Sequence, residues 1–189
     1  MMAVFPQSQA RVGVAMAHLS RLLAYAGGII LVAMAMVTVA SVIGRWINTG
    51  PFSAIAGDYE LIEAGCAIAI FAFLPWCHLN KGHVTVDLLV DQFPIVVQRV
   101  LTLIGDILIA FIAVIIVWRF YLGWAEKFPY FSQAWRDRLS MGYKPFFPET
   151  TYELEIPVWI PMGAALIGAG VFCLVSLYVV WRSLNEVTS

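Results

Sequence analysis

The sequence predicts an all-α, polytopic integral membrane protein: four transmembrane helices with short interfacial helices. Three observations carry this. The first is composition. Of the 189 residues 61% are hydrophobic and 12% charged, about half the roughly 25% charge of ordinary soluble domains, and the mean hydropathy is +0.85. The second is segregation. Residues 22–44, 64–80, 100–118 and 156–181 hold a single Asp, Glu, Lys or Arg between them, Asp106. The remaining residues carry charge at the level of ordinary water-facing chain. The third is length. Crossing a hydrocarbon core about 30 Å thick takes about 20 helical residues. The first and fourth runs reach that outright, the third does so if Asp106 is tolerated, and the second does so if its helix starts near Asp58. Runs this long exceed the roughly 9–11 residues of a barrel strand, and a helix satisfies its own backbone in lipid.

Other classes fall away. The first span follows residues 1–21 and is too long for the apolar core of a cleaved signal. Cys66, Cys77 and Cys173 lie within spans without paired spacing, so no disulfide framework or zinc site is expected. A net charge of −1 gives no nucleic-acid signal. Neither a nucleophile–base set nor a phosphate-binding glycine loop is present, so no enzyme is expected.

Taken in order, residues 1–21 read as a polar arm with Arg11, His18 and Arg21, or as a helix over 12–23 lying on the membrane before the chain turns in. The first span, about 22–44, closes at Gly44-Arg45-Trp46, where Arg45 can snorkel and Trp46 suits the aromatic belt. Asn48-Thr49-Gly50-Pro51 breaks the chain. The second span, about 58–80, opens with Asp58 as a candidate cap and with Glu60 and Glu63 in its first turn, where the helix N-terminus favours carboxylates. Pro75 is placed to kink its far end.

Residues 81–99 connect to the third span. Val84, Leu88 and Leu89 share a helical face, which predicts a short surface helix. Asp87 and Asp91 repel at i,i+4, and Lys81, His83 and Arg99 are the local cations. The third span, about 100–118, contains Asp106. An intramembrane carboxylate is a functional candidate by default. It is read here either as a structural carboxyl meeting a Ser or Thr of a neighbouring span, or as a group that helps a proton or sodium ion across. The connection 119–155 is long and dense in aromatics: Trp124, Phe128, Tyr130, Phe131, Trp135, Phe146 and Phe147, with Pro129, Pro145 and Pro148. Such density is unlike a linker and predicts a folded flap or docking surface. The last span, about 156–181, opens at Pro157 and ends at Trp181-Arg182. The whole chain is read as a single membrane domain.

Four crossings put both termini on one side. Lys and Arg do not choose which: Arg11, Arg21, Lys81, Arg99 and Arg182 balance Arg45, Arg119, Lys127, Arg136, Arg138 and Lys144. Small residues four apart, Ala24/Gly28, Gly65/Ala69, Ala164/Gly168 and Ala165/Ala169, permit close helix packing in lipid. A self-sufficient transporter would show internal repeats and a polar midplane, and neither is visible. The pattern therefore predicts a supporting subunit of a larger assembly.

Two linked stretches indicate which assembly. Gly44-Arg45-Trp46, Gly50-Pro51-Phe52 and Glu60-Leu61 are followed by a span and then by Lys81-Gly82-His83-Val84-Thr85-Val86-Asp87-Leu88-Leu89. This pattern resembles the DctQ-type small membrane subunit of TRAP (tripartite ATP-independent periplasmic) transporters over roughly residues 20–180. The opening of the fourth span, Ile156-Pro157-Val158-Trp159, is similar as well. The aromatic segment 125–150 departs from the family by its length.

The resemblance implies a bacterial inner-membrane protein with cytoplasmic termini. It implies a large membrane subunit that carries the substrate and sodium sites, no cofactor on this chain, and a periplasmic binding protein that delivers an organic acid. On that footing Arg45, Glu60, Glu63, Arg136 and Arg138 face the periplasm, with Arg136 and Arg138 as candidate docking charges. Lys81, His83 and Asp87 fix a cytoplasmic turn. Two alternatives are a redox-complex anchor, for which His78 is the sole span histidine, and an independent small transporter.

Overall fold

The computed structural model describes residues 6–47, 55–80 and 94–188. Among these it is all-helical: α1 (Pro6–Ile47), α2 (Asp58–Leu79), α3 (Ile95–Lys127), the short α4 (Gln133–Arg138) and α5 (Trp159–Thr188). Four of them, α1, α2, α3 and α5, are long and apolar enough to cross a membrane. Lys81, His83, Asp87 and the surface helix expected after the second span lie outside the described residues.

Helix α1 absorbs most of the expected arm. Pro6 is its first residue, a position where the missing N–H costs nothing. At 42 residues it is about 63 Å long, about twice the hydrocarbon thickness, so it extends well beyond one crossing. Helix α3 likewise runs past Trp118 to Lys127, taking the first residues of the long connection. Helix α5 opens at Trp159 rather than Pro157. Pro157 is instead held opposite Thr150 in an isolated antiparallel bridge.

The chain clusters into two units. The first combines residues 1–24, 71–117 and 168–189. Its core is Val171, Val175 and Val179 of α5, packed by Met16, Leu23, Leu79 and Tyr178. Gly168 permits close backbone approach here: a Cβ on it would sit 2.8 Å from the Phe71 carbonyl oxygen. This is the small-residue packing that lipid, with no hydrophobic drive between helices, selects. At Gly28, by contrast, a side chain would meet open space, so the Ala24/Gly28 pair is no contact seam.

The first unit also buries polar groups. His78 packs edge-on against Phe172 at 5.8 Å between ring centroids. Ser176 donates to the Phe172 carbonyl at 2.8 Å, and Asn185 donates to the Gln9 side chain at 2.7 Å.

The second unit combines residues 25–70 and 118–167. It holds the start of α2, the end of α3, the whole aromatic connection and the start of α5. Gly65 and Ala69 of α2 are buried here, with Gly65 facing Met34 and Ile30 of α1. Large apolar side chains such as Ile29, Val32, Met36 and Val39 of α1 point outward, as a lipid-facing or subunit-facing surface requires.

Candidate functional site: the folded connection and its anchors

The connection is a folded structure, and Arg136 is the reason. Its side chain is fully buried, at 0% exposure, and all three of its nitrogens donate to main-chain carbonyls. Nε donates to Gly142 at 3.1 Å. Nη1 donates to Phe128 at 2.5 Å and Tyr130 at 3.4 Å. Nη2 donates to Ala125 at 2.8 Å, Met141 at 2.9 Å and Tyr143 at 3.1 Å. No carboxylate is among these partners. The carbonyl of Ala125 lies in the last turn of α3 and that of Phe128 just beyond it, where helical carbonyls lack partners and the macrodipole is negative. A planar cation with five donors suits that position as Lys would not. The expectation that Arg136 presents a docking charge is therefore corrected. Its charge is spent inside the connection, and of the two docking candidates only Arg138, which is exposed and lies 5.4 Å from the Trp135 ring centroid, remains outside.

Aromatic packing surrounds this cage. Phe128 lies 4.6 Å from Trp124, 5.4 Å from Tyr130 and 5.2 Å from Trp159, centroid to centroid. Trp124 Nε1 donates to the Trp159 carbonyl at 2.9 Å and Tyr121 donates to the Leu139 carbonyl at 2.9 Å. The polar groups of these two half-buried aromatics are thereby satisfied. Lys127 and Glu149 form an ion pair across the connection.

The start of α2 holds the far end of the connection. Glu60 accepts from two backbone amides, Glu153 N–H at 2.9 Å and Leu154 N–H at 3.1 Å. In return the Glu153 carboxylate accepts from Gly57 N–H. Gly57 has a φ of +72°, a conformation natural to glycine, and Leu154 fills the space a side chain there would need. Asp58 is drawn to α1 rather than acting simply as a cap: Ser41 donates to it at 2.5 Å and Arg45 pairs with it at 2.7 Å. Arg45 keeps 59% side-chain exposure, so it ties α1 to α2 while remaining at the edge. Glu63 is exposed and lies outside this network.

What the folded connection displays is aromatic. Tyr143 is 89%, Phe146 92%, Phe147 77% and Tyr152 95% exposed. In the first unit, Asp106 is 8% exposed and accepts a hydrogen bond from Ser183 of α5. No group of three or more metal-ligating side chains occurs among the described residues. Sequence reasoning missed Ser41, Glu153 and Ser183. Ser41 alone carried a local signal, standing one helical turn before Arg45.

Four apolar spans, a buried interior with one hydrogen-bonded carboxylate, and an elaborate folded connection define a polytopic helical membrane subunit. Residues 34–186 match the family described as "Tripartite ATP-independent periplasmic transporters, DctQ component", and the chain belongs to that family, the small membrane subunits of TRAP transporters. No curated protein matches it, and no solved structure does.

Proposed function

We propose that this chain is the static, lipid-embedded scaffold of a sodium-coupled TRAP transporter for organic acids in the bacterial inner membrane. Both termini are cytoplasmic. A large partner subunit carries the substrate and sodium sites, and the connection between α3 and α5 receives the periplasmic substrate-binding protein. The observation that supports the docking role is the Arg136 cage. It fixes a connection that would otherwise be too costly in entropy to present an ordered surface, and that surface exposes aromatics together with Arg138. Aromatic anchors flanked by arginine are the composition of interface hot spots. The scaffold role is supported by helices with close backbone approach, as at Gly168, and by buried polar groups tied to one another within the protein, which suit a body against which another subunit moves.

The test is binding of the cognate binding protein to the reconstituted complex. Arg138→Glu and Phe146→Ala each weaken it, by about 30-fold or more for a hot-spot residue, with complex yield unchanged. Wild-type affinity in both variants would remove the docking role.

A further inference from the structure

The second unit contains a half-open cleft of about 460 Å³, within the roughly 300–1,000 Å³ range of small-ligand sites. It lies between the start of α2 and the start of α5, with Phe120 of α3 at its side. On α2 its wall is Glu60, Glu63 and Ala67, and on α5 it is Met162 and Ala165. The spacing on each helix is that of one face, three or four residues per turn. The cleft therefore runs along two candidate membrane spans, with its carboxylates at the end where both helices begin and its apolar walls further in.

The two carboxylates differ. Glu60 is occupied by the amides of Glu153 and Leu154. Glu63 makes no hydrogen bond or ion pair among the described residues. An unpaired carboxylate at the mouth of an apolar slot in lipid is complementary to an amphiphile with an acyl chain and a cationic head that carries N–H donors. A primary ammonium meets that description and can donate to a carboxylate. A quaternary choline head has the charge but no donor, and a glycerol head has no positive charge.

We infer that this cleft is a binding site for one aminophospholipid, phosphatidylethanolamine, with its ammonium on Glu63 and an acyl chain against Ala67, Met162 and Ala165. This goes beyond the transport role and does not depend on it.

The test uses the full chain, purified with its large subunit and delipidated, then mixed with equal amounts of dioleoyl-phosphatidylethanolamine, -phosphatidylcholine and -phosphatidylglycerol. Retained lipid is counted by native mass spectrometry. One phosphatidylethanolamine is expected to be retained in preference to phosphatidylcholine by about three- to tenfold, the scale of one charge-assisted hydrogen bond at an exposed, solvent-screened carboxylate. Glu63→Gln should abolish the preference while lipid is still retained. Ala67→Trp, which fills the slot, should lower retention of all three. Equal retention of the three lipids by the wild type, preference for phosphatidylglycerol, or a preference that survives Glu63→Gln would each overturn the site. So would an assembled Ala67→Trp complex with wild-type retention. If Ala67→Trp does not assemble, the Glu63→Gln comparison decides alone.

Discussion

Replacing Arg136 by alanine removes the donor to six carbonyls, those of Ala125, Phe128, Tyr130, Met141, Gly142 and Tyr143. Each bond from a charged donor contributes about 1.5–3 kcal/mol, but burying the guanidinium costs several kcal/mol in return. The net loss on breaking such a buried set is about 3–5 kcal/mol. The loss is local, because every partner lies within residues 125–143. At about 1.4 kcal/mol per tenfold, amide exchange across residues 128–143 should accelerate by roughly 10²-fold to several thousand-fold. Exchange in the membrane-spanning part of α5 should be little changed. Arg136→Lys should fall between, since an ammonium has three donors against five. The assay is hydrogen exchange by mass spectrometry on the protein in nanodiscs. Wild-type exchange in Arg136→Ala would refute the claim that this residue folds the connection.

Three further outcomes are expected. Asp106→Asn keeps an acceptor for Ser183 and should leave transport by the reconstituted complex intact, whereas Ser183→Ala should lower thermal stability by about 1–3 kcal/mol by orphaning the buried carboxyl; loss of uptake in Asp106→Asn with normal assembly would instead support a coupling role. Gly168→Leu forces side-chain atoms against the Phe71 backbone and should destabilise by about 1–3 kcal/mol or more, read as a lowered thermal midpoint, and an unchanged midpoint would show that the helices can part there without cost. Glu60→Gln weakens the acceptor for the Glu153 and Leu154 amides, so limited proteolysis around residues 149–158 should speed up, while cleavage at the wild-type rate would mean that the tether is dispensable.

The four spans were legible because charge segregation is a one-dimensional signal, and membrane crossing needs little more. The helix limits were less so. Residues 6–21 join α1 because Met16 and Leu23 pack against the α5 core, and that long-range contact leaves no local mark. A hydroxyl partner for Asp106 was foreseeable in kind, since a buried carboxyl needs a donor. Its identity, Ser183, depends on how helices distant in sequence align. Arg136 was misjudged for a different reason: its partners are backbone carbonyls, which every residue has and no sequence displays. The Glu60 tether to Leu154 spans 94 residues, so the acidic first turn of α2 suggested a dipole effect when the carboxylate in fact holds a distant loop. The motif from Lys81 to Leu89, which carried much of the family resemblance, falls outside the described residues, and the family match covers residues 34–186.

The central claim is that this chain supports transport and does not perform it alone. It is tested most directly by uptake into proteoliposomes of the organic acid found bound to the purified binding protein, under an inward sodium gradient, with this chain alone, with the large subunit alone and with both. Uptake is expected only where both subunits are present with the binding protein, and none with this chain alone. Sodium-driven uptake by this chain without the large subunit would contradict it.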